Sequence, residues 1–459
     1  MIVRTSFRRA LPSAPRALAL AFAGAIAVGA LLLSLPAASA DGAWHPGADR
    51  LFVAASAVCV TGLDPIGVGA SLSTFGLAVL AALVQLGGLG VMTAGTFLFV
   101  ALGRSLSVTE ERSVSSSFGE VRPADTRRIL LGTFAFTFAW EAAGAVAMAW
   151  RLRAADPALP LAAAAARGFF FAEMSFCNAG FSLHADSFAP YVRDPGMVLG
   201  SVLLSTAGGL GFLVHANLLS LRPWRRNRAA RGRMTLQSRL ALEGMFASVA
   251  LGLAVYLPLE GAGAYAALDR GDALGAALFQ CLSARASGFS AVPVSSLAPA
   301  SRLFTMVAMF VGAAPGSTGG GVKTTTVAVL LATVAAMFGR REAPELHGRS
   351  LPRRAVNDAI ALLAISLAAV AATAFLLLLL EPPRAGRAGA LVFEAVSAFA
   401  NNGAEVEGTT AALATPSKIL LVLVMFAGRV GPATLGLTLF RPHVEDRTKR
   451  LPEENVVIG

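Results

Sequence analysis

Four short stretches of this sequence set glycine among small or polar neighbours. They read Val60-Thr61-Gly62-Leu63, Asn178-Ala179-Gly180-Phe181, Ala286-Ser287-Gly288-Phe289 and Asn401-Asn402-Gly403-Ala404. The glycines recur roughly every 110 residues, and self-similarity at a fixed period is a property of the fold. Each turn follows a short apolar segment, near 50–61, 167–178, 272–286 and 388–401, too short to cross a bilayer and suited to a re-entrant helix. Glycine reaches conformations closed to other residues, so successive carbonyls of such a turn can face one axis. Four such turns would build a cage of carbonyl oxygens that replaces the hydration shell of a cation. The short helices would aim their negative C-terminal ends at the same point. The candidate ion-binding backbone is therefore that of Val60, Thr61, Gly62, Asn178, Ala179, Gly180, Ala286, Ser287, Gly288, Asn401, Asn402 and Gly403. Close helix packing is the bland use of a membrane glycine. Four matched turns favour the cage.

A second concentration of unusual residues lies within an apolar stretch at 303–338. Pro315, Gly316, Gly319, Gly320 and Gly321 break a helix there, and Ser317, Thr318 and Thr324–Thr326 can hold the freed backbone groups. A packing kink is one reading; irregular backbone lining a cavity at membrane depth is the favoured one. Arg429 also lies in an apolar stretch, where a charge marks either function or a buried structural hydrogen bond. Lys323 is expected to snorkel to the interface. Asp64, Asp186, Glu405 and Glu407 follow the turns; a ring of charge would attract cations, but the third turn has none, so solvated loop charge is the preferred reading. Cys59 and Cys177 each stand three residues before their glycine and read as small packing residues, with Cys281 making an odd total. No histidine cluster, hydrolytic constellation or phosphate loop is present, so the expectation is neither an enzyme nor a chain with an organic cofactor of its own.

The elements that position these residues follow from composition. The chain has 459 residues, 55% hydrophobic and 14% charged, too few charges to cover a water-facing surface, so a soluble enzyme is excluded. Apolar stretches at 16–36, 73–101, 129–150, 196–221, 237–258, 303–338, 355–380 and 419–440 give eight candidate transmembrane helices. The net charge of +11 reads as cytoplasmic loops and not as a nucleic-acid surface. Most of the 38 basic residues fall before 17 and in 102–128, 222–239, 339–354 and 441–459, which places both termini in the cytoplasm. Ala38-Ser39-Ala40 resembles a signal-peptide cleavage site, but the repeat needs the preceding segment as a helix, so retention is expected. The expected fold is an all-α integral membrane protein: four pseudo-repeats of helix, pore helix, filter turn and helix around a central pore. Repeat 1 covers 1–103 and repeat 2 covers 104–236. Repeat 3 covers 237–350 with the intramembrane loop 312–326, and repeat 4 with a cytoplasmic tail covers 351–459.

Over nearly its whole length the sequence resembles the Trk/Ktr/HKT superfamily of potassium transporters, and the Ktr-type membrane subunit most of all. The resemblance rests on Cys59-Val60-Thr61-Gly62-Leu63, Gln85-Leu86-Gly87-Gly88-Leu89-Gly90, Cys177-Asn178-Ala179-Gly180-Phe181, the run Gly312–Thr326, Gly428-Arg429-Val430-Gly431-Pro432 and the tail Glu454–Gly459. It implies K+ held by the filter carbonyls, with Gly62 as the K+-preferring choice and Na+ as a second candidate ion. Arg285 fits the family pattern behind the filter. The resemblance further implies that Gly316, Ser317, Thr318, Gly319, Gly320 and Gly321 form a gate loop below the filter, and that Arg429 belongs with it. It also implies a homodimer in the inner membrane, embedded in lipid and controlled by a cytoplasmic nucleotide-binding ring. The fourth turn, Asn401 to Glu407, is more polar and acidic than the family pattern, which puts the shape of that quarter in question. Two rivals are a secondary transporter of another solute and a non-conducting or Na+-permeable protein of the same fold.

Overall fold

The computed structural model describes residues 14–103, 123–221, 233–341, 343–382 and 387–431. The basic segments within 104–122 and 222–232, Arg4, Arg8 and Arg9, the part of the eighth apolar stretch beyond Gly431 and the tail Glu454–Gly459 lie outside the described residues.

Apolar length sets the element order. A long helix α1 (Ala14–Ser34) precedes the short α2 (Ala48–Val58), the one-turn α3 (Val68–Ser71) and the long α4 (Thr74–Gly103). The next group is α5 (Pro123–Ala155), α6 (Leu161–Cys177) and α7 (Pro195–Ser220). Then come α8 (Leu236–Glu260), α9 (Arg270–Leu282), α10 (Pro299–Phe310) and α11 (Thr324–Phe338), and finally α12 (Arg353–Leu380), α13 (Arg387–Ala400) and α14 (Thr415–Val430). The stretch 303–338 is thus two helices with the non-helical segment 311–323 between them, where the Pro and Gly cluster forbids a continuous helix. A two-stranded hairpin, β1 (Glu345–Leu346) and β2 (Arg349–Ser350), is the small exception to an all-helical description among the described residues.

Helix starts are capped from the sequence. Asp194 accepts from the Gly196 and Met197 amides at 2.9 and 3.1 Å, Thr235 from Ser238 at 3.2 Å, and Asp269 from Asp272 at 2.7 Å. Proline opens α7, α10 and α14, where its missing N–H costs nothing. At the first junction the Ala38 carbonyl accepts from the Ser73 N–H at 3.0 Å and Ser39 bridges Leu72, tying Ala38–Ala40 to the start of α4.

Burial separates an inner from an outer set. The short helices are sheathed: Phe52–Val58 of α2, Phe170–Cys177 of α6 and Phe393–Ala400 of α13 are buried without interruption. On α12 only Ala359, Ser366, Thr373 and Leu377 are buried, a single stripe, while Leu367, Phe375 and Leu379 are exposed. Among the described residues, four helices are long and apolar enough to cross a membrane: Leu131–Ala155, Pro195–Ser220, Leu236–Glu260 and Arg353–Leu380. Of these α7 is the inner one, 61% buried over its apolar window against 17% for α12.

Candidate cation-coordinating site

Each glycine turn hangs from the C-terminal end of a short buried helix. In three of them the residue two before the glycine and the glycine itself both take positive φ. These are Val60 and Gly62 (54° and 100°), Asn178 and Gly180 (59° and 70°), and Asn401 and Gly403 (49° and 94°). Such a conformation is uncommon outside glycine and a clear outlier for β-branched Val60, so the surroundings must hold it. One bond pattern does so. The amide before the glycine donates to the carbonyl five residues back: Thr61 to Ser56 at 2.7 Å, Ala179 to Met174 at 2.9 Å and Asn402 to Ser397 at 3.0 Å. The Gly62 and Gly403 amides also donate to the Ser56 and Ser397 hydroxyls at 2.9 and 3.1 Å.

The third turn is the one that differs. Ser283–Ser287 forms a π-helical turn, and the matching bond falls one residue later, from Gly288 N–H to the Ser283 carbonyl at 3.1 Å. The polar and acidic residues of the fourth turn put the shape of that quarter in question. Its backbone follows the first two, and its polar side chains brace it. Asn401 Nδ2 donates to Thr61 Oγ1 at 3.0 Å and to the Met425 carbonyl at 2.9 Å. Asn402 Nδ2 donates to the Ser283 and Ala284 carbonyls, both at 3.0 Å. Asn401→Ala would take this donor from Thr61 Oγ1 and the Met425 carbonyl in a buried site, so a loss of about 1–3 kcal/mol is expected, measured as a lower unfolding temperature of the purified chain.

The four turns meet edge to edge. A Cβ placed on Gly62 would overlap the carbonyl oxygen of Ala179; on Gly180, that of Ser287; on Gly288, that of Asn402; on Gly403, that of Thr61. Each glycine therefore faces the carbonyl of the residue before the next glycine, and the order closes on itself. Backbone oxygens are neutral, hard donors of the kind that replace the water of an alkali cation.

Against the second, third and fourth turns of this ring packs the segment 311–323. Its neck is a parallel bridge between Val311 and Val322, with Gly312 N–H to the Val322 carbonyl at 3.0 Å. Its body docks on α7, which is broken at Gly211 (φ 76°, ψ 163°). That break frees carbonyls of the preceding turn, and the loop uses them: Ala314 N–H donates to Gly209 and Thr318 N–H to Gly208, both at 3.2 Å. Ser317 and Thr318 are buried, and Thr318 Oγ1 receives Asn178 Nδ2 at 2.7 Å, joining loop to second turn. Arg429 Nη1 donates to the Thr318 carbonyl at 2.6 Å and Nη2 to Gly87 at 3.3 Å, while Arg285 Nε donates to Gly312 at 3.4 Å. Gly319 approaches Ala286, and Gly320 packs under Ala400 and Asn401, so the loop touches the third and fourth quarters as well.

A family model for TrkH cation transport proteins matches residues 31–448. The chain belongs to the TrkH family. Among its relatives is the Ktr system potassium uptake protein B of Vibrio alginolyticus, 31% identical over 447 residues, covering 97% of this chain and 95% of that protein. Protein B of the Ktr system of Bacillus subtilis (strain 168) is 30% identical, covering 97% and 96%. The potassium/sodium uptake protein NtpJ of Enterococcus hirae is 28% identical, covering 95% and 94%. The crystal structure of the potassium transporter TrkH from Vibrio parahaemolyticus superposes with a TM-score of 0.69 at 17% identity, over 94% of this chain and 86% of that one, which shows the same fold. With the apolar helices, family membership makes the chain an integral membrane transport protein.

Within this TrkH-family chain several single residues depart from expectation. Lys323 does not snorkel outward: its Nζ turns back onto the Gly319 and Gly320 carbonyls at 2.6 and 3.4 Å, because the loop leaves those acceptors unpaired. The turn carboxylates are not simply solvated either. Asp64 accepts from the Ile66, Gly67 and Val68 amides at 3.1, 3.1 and 2.6 Å, Glu407 from the Val294 and Ser295 amides, and Glu405 contacts Thr410. Asp186 alone of the four is an exposed loop charge without such a role. Cys177 packs its Sγ against Gly88, and all three cysteines are buried and free. Sequence reading missed the helix break at Gly211, the bracing by the Asn401 and Asn402 amides, and the buried carboxyls on α5, α6 and α13. Of these, Glu141 accepts from Gln85 Nε2 at 3.2 Å. Their signal was available: an ionisable residue inside an apolar stretch is a candidate site by default.

Proposed function

We propose that this chain is the pore-forming membrane subunit of a Ktr-like potassium uptake system. The closed ring of backbone carbonyls at Thr61, Ala179, Ser287 and Asn402 carries the reading, because only backbone brings four separate turns to one place in the same way. On it, the eight apolar stretches span the cytoplasmic membrane as four pseudo-repeats (1–103, 104–236, 237–350 and 351–459), with both termini cytoplasmic. K+ loses its water to the carbonyls of the four filter turns. The loop Gly316–Gly321, gripped by Arg429 and Lys323 and tied at its neck by Arg285, obstructs the path below and moves to open it. The names of the Ktr relatives support K+ as cargo, and NtpJ's name adds Na+. A homodimer with a cytoplasmic nucleotide-binding ring belongs to the same reading, with the nucleotide control supplied by the partner and not by this chain.

Rubidium uptake into proteoliposomes holding the full chain tests it, with Na+ and organic solutes as competitors and with Na+ present or absent. The expected result is uptake competed by K+ and not by organic solutes. No cation flux with or without nucleotide and partner would leave a non-conducting protein of this fold.

A further inference from the structure

Glu394 and Ser397 of α13 and Asn401 just past its end form one polar stripe, at spacing i, i+3 and i+7. Ser397 and Asn401 bind the fourth turn and its neighbour as described; Glu394 is the member the filter reading leaves unused. It is fully buried, 0% exposed, and its Oε2 has no hydrogen-bond partner. Its Oε1 lies 3.1 Å from Thr410 Oγ1, and the same hydroxyl contacts Glu405 Oε2. A hydroxyl owns one hydrogen, so Thr410 donates to one carboxyl and must receive a hydrogen from the other. The bare Oε2 identifies the donor. An ionised carboxylate with an unpaired oxygen is disfavoured out of water, whereas a neutral carboxyl tolerates it. Glu405 is only half-buried, so of the two carboxyls it is the one water still reaches.

Most charged groups on the surrounding elements are engaged elsewhere, and none forms an ion pair with Glu394 among the described residues. Lys418 on α14 pairs with Asp49 of α2 at 2.6 Å, and Glu381 at the end of α12 with Arg387 at 3.5 Å. Arg50 of α2 donates to Ser39, Arg429 of α14 to Thr318, and Glu407 and Asp64 accept backbone amides. Arg302, the charged residue of α10, makes no ion pair among the described residues. No cation is therefore paired with Glu394.

We propose that Glu394 is a proton-binding site whose hydrogen, relayed by Thr410 to the Glu405 carboxylate, latches the segment after the fourth glycine onto α13. Loss of that proton to the outer water leaves Glu394 and Glu405 facing each other as two carboxylates across one hydroxyl, and the latch opens. Its effect on transport rests on the pore reading; the proton itself does not.

Two measurements separate these. Infrared difference spectra of the full chain in detergent, wild type minus Glu394→Gln, are expected to show one protonated-carboxyl stretch at neutral pH that Glu394→Asp restores. Absence of that difference overturns the proposal. In proteoliposomes, wild-type rubidium uptake is expected to fall about tenfold for each unit of external pH above the site's pKa, the rate at which a single carboxyl empties. Glu394→Gln, whose amide donates to Thr410 at every pH, should keep the uptake and flatten the profile. A variant profile as steep as wild type overturns the latch. Wild-type protein with the infrared band but no flux keeps the proton site and defeats the pore reading.

Discussion

Gly62→Ser is expected to lower the preference of uptake for K+ over Na+ by tenfold or more. Gly62 sits at φ 100°, where a side chain costs about 1–3 kcal/mol, and its Cβ would overlap the Ala179 carbonyl oxygen. The neighbouring quarter must move, and the two turns that share this contact lose their spacing together. A factor of ten corresponds to ~1.4 kcal/mol, so even the lower part of that strain, delivered to the coordinating oxygens, is enough. Competition of rubidium uptake by Na+ measures the ratio directly. An unchanged ratio would remove Gly62 from the filter.

The second large effect is expected from the loop. Deleting Gly319–Gly321 should raise basal flux roughly tenfold or more. The neck closes without these residues, since Val311 and Val322 already pair, so α10 and α11 can keep their places. What is lost is the grip: the Arg429 bond to Thr318, the Lys323 bonds to Gly319 and Gly320, and the seating of Gly320 under Ala400. At about 0.5–1.5 kcal/mol per bond the closed arrangement loses a few kcal/mol, enough to shift a two-state population by that factor. Flux at the wild-type level in a well-folded deletion variant would leave the loop as a packing kink.

Much of this arrangement was legible in the sequence for a definable reason. Apolar length and the recurrence of glycine are one-dimensional signals, and they placed the helices and the four turns close to where they stand. Hydrogen-bond register is not such a signal. Nothing in Ala286-Ser287-Gly288 announces a π turn, because its extra residue is absorbed by the geometry of the helix before it. The fourth turn stayed in question for the opposite reason: Asn401 and Asn402 depart from the family pattern, and their acceptors, Thr61 and the Ser283 and Ala284 carbonyls, arrive from remote parts of the chain. Lys323 was misjudged because the rule that sends lysine outward assumes no nearer acceptor, and an unwound loop supplies two.

The π turn at Ser283–Ser287 has a mechanical meaning as well. A helix end closed by the wider turn can slide back by one residue, exchanging one carbonyl acceptor for the next without melting the segment that carries it. That segment also holds Arg285, whose guanidinium is fastened to Gly312 at the neck of the loop. Of the four quarters it alone is closed by the wider turn, and it shares its hold on the loop with the second turn, whose Asn178 bonds Thr318. On the pore reading it works as a clutch: withdrawal of the loop pulls on the ring at Asn178 and Arg285 together, and the quarter closed by the wider turn takes up the slack.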